Sequence, residues 1–83
     1  MTMTTPNASP TRLIDARGSF CPGPLMELIR AIRESEVGAV ITVRSSDRGS
    51  RVDIPKWVEK AGHRLVGVVD GDGFDEIVVE KLH

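Results

Sequence analysis

Two stretches of this chain carry the same apolar spacing, and that repetition limits the fold more than any other feature. Leu25, Leu28, Ile29 and Ile32 stand at i, i+3, i+4 and i+7, and so do Ile54, Trp57, Val58 and Ala61. Residues so spaced share one side of an α-helix, so each segment predicts a helix with a single apolar stripe. Glu27, Arg30, Arg33 and Glu34 occupy the other side of the first. Such a helix has one face to bury and needs a sheet or a second helix against it.

The remaining chain supplies the sheet. Residues 13–16, 39–43, 65–69 and 74–79 are short runs rich in Val, Ile and Leu that predict strands. Asp70-Gly71-Asp72-Gly73 predicts a tight hairpin between the last two. The order is βαβαββ. It predicts an α/β two-layer sandwich, a mixed four-stranded sheet with two helices on one face, whose first crossover is parallel and right-handed. Leu13, Ile41, Val43, Val69, Ile77 and Val79 are the expected inner-face residues. Gly38 is expected to supply a left-handed residue past the first helix. The second helix is expected over 54–62, after a loose turn over 48–53. A start at the Ser50/Asp53 pair, which resembles a capping box, would place Pro55 beyond the tolerated first turn.

At 83 residues the chain is one domain, expected over 12–83. Residues 1–11, rich in Thr, Pro and Asn, read as a disordered tail and lack the basic start and apolar run of a signal peptide. A net charge of −1 makes no general case for nucleic-acid binding, and no apolar run is long enough to span a membrane. The charges are unevenly placed. Arg44, Arg48, Arg51, Lys56, Lys60 and Arg64 crowd the middle, while Asp70, Asp72, Asp75, Glu76 and Glu80 weight the end. The readings of that asymmetry are a solvated mixed surface or a basic docking patch for an acidic partner.

The single cysteine has no partner for an internal disulfide and suits the reducing cytoplasm, the expected location. Cys21 directly precedes Pro22-Gly23-Pro24 and the first helical stripe. As N-cap it would put Pro22 and Pro24 in the first turn, where a missing N–H breaks no helical bond. A thiolate there meets the positive end of the helix dipole, and its pKa can fall from about 8.5 to roughly 3.5–7.5. Gly23 N–H and Leu25 N–H are the expected donors near the sulfur, and Gly23 brings no side chain to block approach. Met26, one turn on, reads as core filler or as an adaptable apolar contact beside the sulfur.

Asp15-Ala16-Arg17-Gly18, Cys21-Pro22-Gly23-Pro24 and Asp53-Ile54-Pro55 together resemble the TusA (SirA-like) sulfur-carrier family, whose signature is a D-x-x-G-x-x-C-P-x-P run opening the first helix. The resemblance spans nearly all but the tail and implies a strand order of 1-2-4-3. It implies a sulfurtransferase acting in a relay: Cys21 accepts sulfane sulfur as a persulfide and hands it to a cysteine of the next protein. The donor would be a cysteine desulfurase or a rhodanese-type protein, and the acceptor a downstream relay protein of the DsrE/TusD-like kind. The routes served include tRNA thiolation, molybdenum-cofactor assembly and sulfur oxidation. Asp15 and Gly18 would be structural members of the motif, Pro22, Gly23 and Pro24 its shapers, and Met26, Arg30, Arg33, Asp47 and Asp53 candidate docking residues. Ser19 stands where many members carry leucine, and Gly23 where the residue is often larger or acidic.

Other chemistries fit poorly. One cysteine and two scattered histidines, His63 and His83, give no metal-site spacing, and the Asp-Gly-Asp-Gly loop lacks the full calcium pattern. Neither a metal nor a cofactor is expected. The alternative reading is a non-catalytic regulatory or RNA-associated module in which Cys21 only packs. A redox sensor is a third, without a resolving cysteine.

Overall fold

A computed structural model of the chain describes residues 11–20 and 23–83. Residues 1–10, which make up nearly all of the expected tail, lie outside the described residues, as do Cys21 and Pro22 and the capping and first-turn roles expected of them. The elements are β1 (Thr11–Asp15), α1 (Gly23–Glu34), β2 (Val40–Ser45), α2 (Arg48–Ala61), β3 (Arg64–Asp70) and β4 (Asp75–Glu80). The sheet order is β1-β2-β4-β3. β1 runs parallel to β2, and β4 runs antiparallel to both β2 and β3.

The two apolar stripes meet the sheet as their spacing demands. Leu28, Ala31 and Ile32 of α1 join Ile54 and Val58 of α2 over Ile41, Val43, Ile77 and Val79 in one buried cluster. Those four strand residues alternate along β2 and β4 and so share a face. Both helices therefore cover one side of the sheet.

Two expected inner-face residues point the other way. Leu13 is 54 % exposed and pairs with Thr42, whereas Ile14 pairs with Val43 and packs on the core. Val69 is 55 % exposed opposite Glu76, and its neighbour Val68, opposite Ile77, packs inward. Strand register sets which parity faces the helices, and a one-residue slip inverts it. The register of β3 shifts between Leu65 and Gly67, which breaks the simple alternation of that strand.

The second helix starts earlier than the proline suggested. α2 begins at Arg48, with Asp47 as N-cap: its carboxylate accepts from Ser50 N–H and Ser50 Oγ, both at 3.2 Å. The cap supports a first turn that the sequence reading assigned to a loose loop, and Pro55 lies inside the helix. A proline there withholds one helical N–H, a local cost that the cap and the burial of Ser50, Ile54 and Val58 offset. Gly62, at φ 79°, closes α2, donating to Glu59 and Val58 carbonyls.

Gly38 is left-handed at φ 95° but does not cap α1. Its N–H goes to the Lys81 carbonyl at 2.8 Å. The end of α1 is held instead by Ser35 Oγ, which donates to Ala31 O at 2.7 Å, and by Lys81 Nζ, which donates to Ile32 O and Ser35 O at 2.7 and 2.6 Å. A cation on those carbonyls also complements the helix dipole.

Candidate functional site

Because β1 and β2 are parallel, the loops that leave them for α1 and α2 emerge at the same end of the sheet, where α/β units commonly build their sites. The first loop contains Cys21. Its entry is held from several directions. Ala16 N–H donates to Arg44 O at 2.9 Å, extending the β1–β2 ladder by one residue. Ser19 N–H then returns to Ala16 O at 3.1 Å, closing a turn with Gly18 at its third position. Gly18 has φ 88°, the left-handed value that a type II turn requires there and that a side chain disfavours. Its N–H donates across the molecule to Ser46 Oγ at 3.0 Å, in the loop that follows β2.

Asp15 grips this turn through Arg17. Its Oδ1 accepts from Arg17 Nε at 2.8 Å and from Arg17 N–H at 3.3 Å, and Oδ2 accepts from the other guanidinium arm at 2.8 Å. The side-chain bond from Arg17 is the main reason that the Asp15 carboxyl is held down at about 2, with the Arg17 backbone N–H adding to it. The Arg17 guanidinium lies 5.0 Å from the centre of the Phe74 ring, and that of Arg44 lies 5.6 Å from it. Cation–π contact thus ties the turn to the β3–β4 hairpin.

On the far side of Cys21, Gly23 N–H donates to Phe20 O at 2.7 Å. This corrects the expectation that Gly23 N–H is held ready for the sulfur: it already has a close partner. A Cβ on Gly23 would sit 3.4 Å from Ser19 Cβ, so the two residues that depart from the family pattern stand against each other. Pro24 is buried in the first turn of α1. Phe20 is 79 % exposed and Met26 57 % exposed, so Met26 is not part of the core.

Beside the Gly18–Ser46 contact opens a cleft of about 610 Å³ lined by Ser45, Ser46, Arg48, Arg51, Val52 and the hairpin residues Asp70, Gly71, Gly73, Phe74 and Asp75. Asp70 and Asp75 oppose each other across the hairpin, and Arg51 bonds both, Asp75 at 2.9 Å. The Arg51 hydrogen bond holds the Asp70 carboxyl below the usual aspartate value. Gly71 N–H donates to Phe74 O at 2.6 Å and closes the hairpin around Asp72 and Gly73, as the Asp-Gly steps suggested.

The candidate docking residues divide between the helices. Met26, Arg30 and Arg33 lie at i, i+4 and i+7 on the exposed side of α1, and Arg30 reaches Glu34 at 3.4 Å. Asp47 is the N-cap of α2, and Asp53 is half-buried on its second turn. Sequence reasoning passed over Ser46, Phe20 and Phe74. The available signal was position: Ser46 follows a strand parallel to the one that leads to Cys21. His63 is half-buried and stacked on His83, with ring centres 4.5 Å apart. Among the described residues no three His, Cys, Asp or Glu side chains gather as metal ligands, and no helix is long and apolar enough to cross a membrane.

Residues 12–81 match the family model described as sulfurtransferase TusA. The chain is 56 % identical over 70 residues to a protein of Archaeoglobus fulgidus provisionally named a sulfur carrier, covering 84 % of this chain and 96 % of that one. It is 43 % identical over 54 residues to the sulfur carrier protein TusA of Pseudomonas entomophila, covering 65 % and 68 %. Among solved structures, a SirA-like protein from Desulfitobacterium hafniense superposes with a TM-score of 0.78 at 30 % identity, covering 87 % of this chain and 99 % of that one.

Proposed function

We propose, on the premise that this chain belongs to the sulfurtransferase TusA family, that it is a sulfur carrier of the cytoplasm whose single cysteine, Cys21, bears the sulfur as a persulfide. The sulfur-carrier names of its relatives support the role. The observation that carries the assignment to this site is the bracing on both sides of Cys21. Gly18 is bound to Ser46 and Asp15 to Arg17 before it, and Gly23 is bound to Phe20 after it. Flanks so held leave less of the loop to be ordered when a partner arrives.

The chemistry is two thiol exchanges. The Cys21 thiolate attacks the outer sulfur of a donor persulfide, the donor S–S bond breaks, and the donor cysteine leaves as thiolate. The sulfane sulfur is then on Cys21. An acceptor thiolate attacks that outer sulfur, and Cys21 leaves as thiolate in turn. No electrons are gained or lost overall, so the cycle requires neither metal nor cofactor. The dipole of α1, a helix of 12 residues, favours the thiolate both as nucleophile and as leaving group. The donor is a cysteine desulfurase or rhodanese-type protein, and the acceptor a DsrE/TusD-like relay protein. The domain that does this work spans residues 12–83.

Intact-protein mass spectrometry after incubation with a cysteine desulfurase and L-cysteine tests the reading. Gain of one sulfur atom, lost on reduction and absent in Cys21→Ser, is the expected result. No gain from several donors, while Cys21 still alkylates readily, would overturn it.

A further inference from the structure

Of the chain's eleven lysines and arginines, most are engaged within the fold. Arg12, Arg17, Arg30, Arg44, Arg51 and Arg64 pair with carboxylates, and Lys81 holds the end of α1. The central basic cluster of the sequence therefore shrinks. Arg44 is neutralised by Glu76 at 2.7 Å, Arg51 by Asp70 and Asp75, and Arg64 by Glu80 at 3.5 Å. The cations left without an ion pair among the described residues are Arg33 on α1 and Arg48, Lys56 and Lys60 on α2. The last three, with Val52, stand at i, i+4, i+8 and i+12, and all four are exposed.

This spacing lays them along one side of α2 over about 18 Å at 1.5 Å per residue. The buried side of the same helix is carried by Ile54 and Val58. Glu59 is the one exposed carboxylate on this side, and it pairs with none of the three. The stripe starts at the site: Arg48 and Val52 line the cleft beside Ser46, whose hydroxyl holds the Gly18 turn.

We infer that the exposed side of α2, from Arg48 through Val52 and Lys56 to Lys60, is the docking surface for an acidic face of the protein that exchanges sulfur with this chain. The inference rests on the carrier reading for the nature of the partner. Unpaired cations in a row attract an acidic surface without first breaking internal ion pairs, and Val52 offers an apolar contact at the cleft. Such charges act mainly on association rate and partner choice. They fall off within about 8 Å at physiological ionic strength, so the effect is salt-dependent. A net charge of −1 for the whole chain favours a protein partner over nucleic acid, whose binders normally show a basic excess.

The test measures association of the full chain with a cysteine desulfurase over a range of NaCl concentrations, together with loading of sulfur by mass spectrometry. R48E/K56E/K60E is expected to slow association by at least about tenfold at low salt and to flatten its salt dependence. R48K/K56R/K60R, which keeps the charge, should behave as wild type. Alkylation of Cys21 by iodoacetamide should be unchanged in K56E/K60E, whose two residues lie outside the cleft beside Ser46. If the triple reversal disturbs folding, K56Q/K60Q is used and should show a smaller loss in the same direction. Unaltered association in the reversed variant would overturn the inference, and so would loss of tRNA binding in its place. Charge-dependent association without sulfur loading would leave this surface supported and sink the carrier reading. Wild type that neither associates nor loads would sink both.

Discussion

The backbone N–H of Gly18 donates to Oγ of Ser46 at 3.0 Å, joining the turn that leads to Cys21 with the loop that opens α2. Twenty-eight residues separate the pair. Replacing Ser46 by alanine removes the acceptor, and the lost bond is expected to cost about 0.5–1.5 kcal/mol, read by chemical denaturation. The loosened turn should also slow alkylation of Cys21 relative to wild type. Ser46→Thr, which keeps the hydroxyl, should restore both. Slowed alkylation that threonine does not rescue would mean that bulk, and not the hydrogen bond, governs the turn.

The Asp15–Arg17 grip predicts an acid limit for this end of the molecule. Its hydrogen bonds hold the Asp15 carboxyl at about 2 in place of 3.8. A lowered folded-state pKa favours the folded state when the carboxyl is ionised. The contribution is therefore complete above 3.8 and is lost as pH falls through about 2. Carboxyl-carbon NMR titration should give a midpoint near that value for Asp15, returning toward the ordinary one in Arg17→Gln.

Trp57, the only tryptophan, reports on His63, whose ring centre lies 5.9 Å away. Burial holds His63 below the ordinary histidine value of 6.5, with the neighbouring charges of His83 and Lys81 adding to it. Its Nδ1 also accepts from Leu82 N–H at 3.2 Å, a bond the protonated ring cannot take. Lys56 and Glu59 line a cleft together with His63. The sign follows: stability from this contact is complete above 6.5 and is lost as pH falls through the lower folded-state value. Trp57 fluorescence should change over that range, and His83→Ala should move the midpoint upward by exposing the ring and removing a cation.

Helix α2 carries its own pair of opposed effects. Asp47→Ala removes the cap to Ser50 and is expected to cost about 1 kcal/mol. Pro55→Ala returns a helical N–H to the Arg51 carbonyl and should raise stability by up to about 3 kcal/mol. Thermal unfolding of the two single variants checks both directions.

Much of this was legible in the residues themselves. The two stripes located the helices, and the β-branched runs located the strands. Asp15, Gly18 and the proline run around Cys21 pointed to the family that the comparisons bear out. The inner faces of β1 and β3 were legible only in part. Leu13 and Val69 looked as apolar as the residues that are buried, because hydrophobicity alone cannot say which parity of a strand meets a helix. The start of α2 was misread because Pro55 gave a stronger local signal than Asp47, whose cap shows only when its carboxylate meets Ser50.

By itself, the sequence determined what depends on neighbours along the chain: helical stripes, strand runs, the Asp-Gly hairpin and the place of Cys21 before a helix. Those are set by side-chain periodicity and backbone preference over a few residues. Only the tertiary structure decided which charges remain free and which loop braces the site. Arg44 pairs with Glu76 across two strands, Arg51 with the hairpin, and Gly18 finds Ser46. Each of those contacts joins residues distant in the chain, and their partners are chosen by strand register and sheet order, which no local window contains.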